Sequence, residues 1–223
     1  MRYYPVYLDL KDRAILVVGG GRIAEGKALQ LIEAGARVRL VSPDLTPRLR
    51  ESVEQEEIEY RQGEFKADDL RDVVLVISAT SDQAANEEVA RLAAELRLLC
   101  NVVDQPALCN FITPALVTRG DLQISVSTGG GSPSVAQRVK REIGELIGDE
   151  YASLLELAAE MRAEAKRLIQ DFEARRPVLH AFVESEAIEL LRAGKREEAQ
   201  KLAFDLLRKA VTETHTIQEE EKQ

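Results

Sequence analysis

AILVVGGGRIAEGKALQLIEAGARVRLVSPD, residues 14–44, decides the fold of this chain. Its first five residues are apolar and partly β-branched, enough for a buried strand and too few for a helix. Gly19, Gly20 and Gly21 follow directly. Ile23, Ala24, Lys27, Ala28, Leu31 and Ile32 then recur at helical spacing. Gly35 stands where a helix ends in a left-handed residue. Residues 37–42 read as a second strand, which Pro43 stops. The segment is strand, glycine turn, helix, strand: one βαβ unit.

Each glycine has a physical job. Gly19 allows the tight turn out of the strand, and Gly21 has no Cβ to keep a pyrophosphate from the backbone. Ala24 takes the third place of G-x-G-x-x-G/A and lets helix and strand pack closely. The helix aims its unpaired N–H groups and positive dipole end at the phosphates. A glycine pattern alone is weak. Here a strand precedes it, a helix follows and a second strand comes at the right distance, which favours a dinucleotide over a turn that binds nothing. The acidic residue expected about 20 residues on, for the ribose 2′-hydroxyl, is not at the strand end, where Val41, Ser42 and Pro43 stand. Asp44 comes just after. It would repel a 2′-phosphate, and no Arg adjoins it, so NAD is favoured over NADP; the alternative for Asp44 is a turn residue.

The chain has 223 residues, room for one sizeable core and a smaller domain. A net charge of −9 argues against general nucleic-acid binding. The two cysteines, Cys100 and Cys109, form neither a CxxC pair nor a disulfide framework and read as ordinary reduced thiols. Residues 1–10 (MRYYPVYLDL) lack the basic and apolar regions of a signal peptide. No run approaches the apolar length of a membrane span. A soluble, cytoplasmic protein is expected.

Residues 4–10 alternate weakly, as an edge strand or a lead-in. Residues 46–54 read as a helix with Thr46 as N-cap and Pro47 first. Residues 58–61 form a third strand and 66–71 a short helix anchored by Leu70. The apolar run 73–77 is a central parallel strand, closed by Ser78, Ala79 and Thr80, small residues where a ligand crevice lies in an open α/β sheet. A helix over 86–97 and a fifth strand over 98–103 follow. Asp104 comes directly after that strand, where a nicotinamide would sit, and suits a general base; the alternative is a carboxylate capping the next turn. Asn101, Asn110 and Thr113 add polar groups, suited equally to a ligand and to the backbone.

From Pro114 the composition changes. Residues 115–118 and 122–127 are strands around Arg119, Gly120 and Asp121, and the second alternates, with one face exposed or paired with a partner. The loop Thr128, Gly129, Gly130, Gly131 leads to Ser132 as N-cap and Pro133 as first helical residue. A glycine loop feeding a helix N-terminus has the form of an anion site, with an empty loop and cap as the alternative. Residues 134–147 are an amphipathic helix carrying Arg138, Lys140 and Arg141. From 148 on the chain reads as helix, with apolar stripes over 151–169, 178–192 and 197–211, breaks at Pro177 and Gly194, and a polar, frayed end from Thr212. His180 and His215 make no metal motif.

VVGGGRIAEGKALQLIEAGARVRLVSPDL, ISATSD, CNVVDQP, FITPA and SVSTGGGSP, in this order, resemble the precorrin-2 dehydrogenase family, which is also the dehydrogenase and ferrochelatase module of sirohaem synthases. The resemblance covers nearly the whole chain and is weakest over the C-terminal helices. It implies an N-terminal NAD-binding Rossmann domain over 1–113, a dimerisation region over 114–148 and a helical C-terminal domain over 149–223, in an intimate homodimer. The chain looks like the form that stands alone, without a methyltransferase domain. The implied reaction is oxidation of precorrin-2 to sirohydrochlorin with hydride passing to NAD+. NAD would lie over Gly19, Gly20, Gly21, Arg22, Ile23 and Ala24, with Ser42, Pro43 and Asp44 at the adenosine ribose and Ala79 and Thr80 beside the cofactor. Asp104 matches the family's catalytic aspartate, proposed to serve dehydrogenation and, in bifunctional members, insertion of Fe2+ as a second substrate. Gly26 stands where an Arg commonly precedes Lys27. The tetrapyrrole carries many carboxylates and this chain is acidic, so local positive features must bind it: Arg119, Arg138, Arg141 and the loop with Thr128, Gly129, Gly130 and Ser132. The rival readings are an NAD-sensing regulatory module and an assembly protein working through its helical tail.

Overall fold

The computed structural model describes residues 2–220, with side chains described as far as residue 213. Five segments form one parallel sheet: β1 (Ala14–Val18), β2 (Arg37–Ser42), β3 (Ile58–Gln62), β4 (Leu75–Ser78) and β5 (Leu99–Val102). Their order is β3-β2-β1-β4-β5. Every residue of β1 and β4 is buried; strands covered on both faces need apolar residues at every position, not at alternate ones. Helices α1 (Arg22–Glu33), α2 (Pro47–Glu54) and α3 (Gln83–Glu95) supply the cover. Ile15 and Val17 pack with Ala24, Ala28 and Leu49 on one face, while Leu16 and Val18 pack with Val89 and Ala93 on the other. From β1 the chain winds outward to β2 and β3, then returns to the opposite side of β1 for β4 and β5. The strand order therefore reverses between β1 and β4, and a crevice opens there at the carboxyl ends of the strands. This is the expected Rossmann-like α/β architecture.

Boundaries move where capping overrides periodicity. The helix expected from Asn86 begins at Gln83, because Asp82 accepts the N–H groups of Ala84 and Ala85 at 2.9 and 3.2 Å. The fourth strand begins at Leu75, not Val73, and the expected helix over 66–71 is a 3-10 turn, Ala67–Leu70, anchored by buried Leu70. Residues 4–10 take the lead-in form and belong to no strand, with Tyr4, Val6 and Tyr7 exposed.

Contacts divide the chain into two compact units. One runs to Thr113 and includes Gly129–Gly131; the other holds Pro114–Thr128 and the residues from Ser132 on. In the second, β6 (Ala115–Arg119) and β7 (Leu122–Val126) form an antiparallel hairpin turned at Gly120, whose φ is +55°. Helix α4 (Pro133–Leu146) follows its Ser132 cap. Helices α5 (Glu150–Leu168), α6 (Phe172–Val183), α7 (Ala187–Arg192) and α8 (Arg196–Glu220) enclose a third core around Leu157, Met161, Phe182 and Leu207. The stripe over 178–192 is two helices, not one. Ser185 interrupts it, donating to Phe182 O at 2.6 Å and accepting from Ala187 N at 3.3 Å. Pro177 lies inside α6 and marks no break. Gly194 does end α7, at φ +73°. Where a frayed end is expected from Thr212, the helical backbone continues to Glu220; residues 221–223 of that expectation lie outside the described residues, as does the side chain of His215.

Candidate active site

At the carboxyl edge of the sheet the three glycines do three different things. Gly19 has φ +118°, and a Cβ on it would lie 2.5 Å from Ala79 O and 3.2 Å from Thr80 N. The end of β1 is thus pressed against the end of β4. A Cβ on Gly20 would collide with the carbonyl oxygen of Asp44 and come within 2.8 Å of Ser42 Oγ. Thr46 N–H donates to Gly20 O at 3.0 Å and Gly19 N–H to Val41 O at 2.8 Å, tying the turn to the loop after β2. At Gly21 a Cβ would meet nothing within 4 Å. Gly21 is the N-cap residue of α1 and gives the helix no side-chain cap, so the N–H groups of the first turn face an opening. Gly20 is thus where the protein's own backbone is most crowded, a role not read from sequence, and Gly21 is where space is kept. The cradle fits the diphosphate of a nicotinamide dinucleotide, an anion on uncapped N–H groups. Arg22 and Ile23 are exposed beside it, and Ala24 is fully buried between helix and sheet.

Beyond β2 the chain forms a cavity of about 340 Å³ whose lining includes Pro43, Asp44, Arg50, Glu54, Tyr60 and Gln62. Ser42 is buried, and its carbonyl accepts the Tyr60 hydroxyl at 2.8 Å. Burial first, and the Asp44 carboxylate second, raise the Tyr60 phenol above its ordinary pKa. Asp44 is exposed. Its surroundings differ from the sequence reading, in which no Arg adjoins it: α2 brings Arg50 into the same cavity, where Asp44 and Glu54 offset its charge.

On the other side of the switch point, Thr80 Oγ1 accepts Asp82 N–H at 3.1 Å, and Thr80 O accepts Asn86 Nδ2 at 3.1 Å. Buried Ser78 donates to Asn86 Oδ1 at 2.7 Å, which fixes the end of β4. Val103 N–H reaches Ser78 O at 2.9 Å, so the turn after β5 starts beside it. In that turn Gln105 N–H returns to Val102 O at 3.2 Å and Asp104 stands at φ +60°, exposed. The next 3-10 turn, Pro106–Leu108, has Gln105 as its N-cap and no side-chain cap. The Asp104 carboxylate therefore does not cap it. The two asparagines serve the backbone. Asn101 Nδ2 donates to Phe111 O at 3.1 Å, while Asn110 accepts Cys100 N–H and donates to Leu98 O, each at 2.8 Å. Thr113 accepts from Lys27 Nζ at 2.8 Å, and burial lowers the pKa of that ammonium. Lys27 was legible only as a helical position; its reach to a residue 86 positions on has no local signal.

Thr128 Oγ1 both donates to Ser132 O and accepts from Ser132 N, each at 3.1 Å, closing the glycine loop. Gly129 and Gly130 have φ of +64° and +86°. Ser132 Oγ caps α4 through Val135 N–H at 3.3 Å. Arg119 is committed to its own unit: Nη1 donates to Thr118 O at 2.9 Å, Nη2 to Gly144 O at 2.8 Å, and Nε lies 3.3 Å from Asp149. Arg138 pairs with Glu142 one turn on at 2.8 Å, an exposed pair that costs little to open. Among the described residues no cluster of three or more His, Cys, Asp or Glu could hold a metal ion, and no helix is long and apolar enough to cross a membrane.

Comparison with known proteins finds three matched regions along the chain. Residues 6–115 match an NAD(P)-binding family model, 119–146 the sirohaem biosynthesis protein central region, and 150–207 the sirohaem synthase dimerisation region. A siroheme synthase of Thioalkalivibrio sulfidiphilus is 40% identical over 200 residues, which are 90% of this chain and 41% of that protein. One of Pseudomonas aeruginosa strain LESB58 is 38% identical over 202 residues, 91% of this chain and 43% of that protein. The chain thus spans about two-fifths of the length of these curated relatives. The solved structure of SirC, a precorrin-2 dehydrogenase, superposes with a TM-score of 0.78 at 26% identity, over 91% of this chain and 100% of that one.

Proposed function

From the premise that this chain belongs to the sirohaem synthase family in its NAD(P)-binding, central and dimerisation regions, we propose that it oxidises precorrin-2 to sirohydrochlorin with NAD+ as hydride acceptor. The observation that carries the reading is Asp104. It is an exposed carboxylate, not used as a cap, one strand away from Ala79 and Thr80 and at the same sheet edge as the glycine cradle. Bound nicotinamide supplies the two-electron chemistry. Gly19, Gly20, Gly21, Arg22, Ile23 and Ala24 hold the pyrophosphate; Ser42, Pro43 and Asp44 take the adenosine ribose; Ala79 and Thr80 flank the dinucleotide. Asp104 accepts the proton that the substrate loses.

NAD is preferred to NADP. With Asp44 and Glu54 lining the cavity beside one Arg50, a 2′-phosphate meets net negative charge. The substrate's carboxylates fall to the loop of Thr128, Gly129, Gly130 and Ser132 and to Arg138, whose partner Glu142 is readily displaced; Arg119 already has its partners within the fold. The chain is assigned the three-part division 1–113, 114–148 and 149–223, supported by the separate family matches over 6–115, 119–146 and 150–207. The match to a dimerisation region, and a two-stranded hairpin that leaves Leu116 exposed, support a homodimer.

The test is a purified chain mixed with precorrin-2 and NAD+, followed by sirohydrochlorin and NADH absorbance. Stoichiometric formation of both is expected. NAD+ binding without consumption overturns the enzyme reading and leaves a sensor module. Insertion of Fe2+ or Co2+ into sirohydrochlorin, without NAD+, is assayed separately and decides whether iron is a second substrate.

A further inference from the structure

We propose that Cys109 is a positioning residue for the Asp104 turn, an inference that rests on Asp104 being the base. Cys109 Sγ accepts Val102 N–H at 3.1 Å and lies 3.2 Å from Val102 O and 3.3 Å from Gln105 O. Val102 and Gln105 are the first and last residues of the four-residue turn in which Asp104 is third. One thiol therefore grips both ends of it. The thiol has a single proton, which it donates to one of the two carbonyls at a time while its lone pair takes the N–H. Asn101 Nδ2, at 3.7 Å, adds a fourth contact.

A second tether acts from α3. Gln83 and Gln105 exchange amide hydrogen bonds at 2.6 and 3.2 Å. Asp104 sits at φ +60°, a left-handed conformation that Asp adopts more readily than most residues, and the two tethers fix the turn around it. With both ends fixed and the apex exposed, the carboxylate has only its own side-chain torsions left to search. Such pre-organisation counts in catalysis, because a displacement of about 1 Å can cost about 100-fold in rate. Cys109 is only half-buried, and its hydrogen bonds go to this turn and the strand that feeds it, unlike Cys100, which is buried in the sheet core with its thiol pushed up to about 11 by that burial. Cys109 also packs against the core cluster that contains Cys100, so the serine variant and the Asp104 background are needed to separate its grip on the turn from packing.

The experiment is a double-mutant cycle on the full chain with precorrin-2 and NAD+. Cys109→Ala is expected to lower kcat about 10- to 100-fold and to leave the KM for NAD+ within about twofold, since the cradle lies on other strands. Cys109→Ser, which keeps a donor and an acceptor, is expected to recover most of the loss. In an Asp104→Asn chain, adding Cys109→Ala is expected to change nothing further. Equal losses in both backgrounds, or no loss with Asp104 present, overturn the positioning role. Should Cys109→Ala be recovered unfolded, Cys109→Ser is compared in the same two backgrounds, with a few-fold loss confined to the Asp104 chain expected and an equal loss in both overturning the role. Wild-type turnover in Asp104→Asn alone overturns the base assignment, and the inference with it.

Discussion

Asp104 and Gly20 occupy positions where one atom decides the outcome. At φ +60°, Asp104 is in a region that Asn tolerates as well as Asp. Asp104→Asn is therefore expected to fold and to bind NAD, yet to lose about 10²- to 10⁴-fold in turnover at saturating substrate, because the amide cannot accept a proton. Steady-state rates beside an NAD titration check both halves. The glycines separate fold from ligand. Gly20→Ala drives a methyl into the Asp44 backbone and is expected to destabilise by about 1–3 kcal/mol, measured by urea denaturation. Gly21→Asp adds its side chain to open space, so the fold is expected to survive while calorimetry finds no NAD binding, the new carboxylate repelling the diphosphate.

Helix caps set several element boundaries in this chain. Thr46 Oγ1 accepts Leu49 N–H at 3.2 Å and donates to Glu25 Oε2 at 2.5 Å, joining the start of α2 to α1. Its backbone also holds Gly20. Thr46→Ala is expected to cost about 0.5–2 kcal/mol in stability, and NAD affinity should fall with it because the same loop carries Asp44; Thr46→Ser should restore both. A denaturation midpoint and an NAD titration on each variant decide this. Exposed ion pairs along the helices, such as Arg91 with Glu88 and Glu95 on α3, contribute far less than such a cap.

Each of the two units has its own core. Phe182, Met161 and Leu157 are buried at 0–1% exposure among α5 to α8, with no strand of the parallel sheet in their cluster. Phe182→Ala is expected to cost about 3–5 kcal/mol, read as an earlier thermal transition. NAD binding, proposed for the first unit, should stay within about twofold at temperatures below that transition, since sites without shared partners act nearly independently. Joint loss of both at low temperature would show that the helical core supports the dinucleotide site.

Features that need only neighbouring residues are confined to windows of a few positions. Strand length, glycine turn and helical spacing over residues 14–44 specify the βαβ unit, and Thr46-Pro47 and Ser132-Pro133 place two helix starts, because hydrogen bonds within a turn set these choices. Asp104 was legible from its place after an apolar run; that its carboxylate does not cap the next turn was not. Which distant groups meet depends on how the chain winds and packs. Parallel strands are joined by long crossovers, so neighbours across the sheet edge are far apart in the chain. Gly20 is crowded by Asp44, Arg50 shares Asp44's cavity, and Lys27 reaches Thr113. Arg119, a basic residue suited to an anion, instead holds carbonyls of its own unit, and Cys109, unremarkable in sequence, closes on the turn of Asp104. Spacing along a chain carries no record of such meetings, which chain winding and packing create.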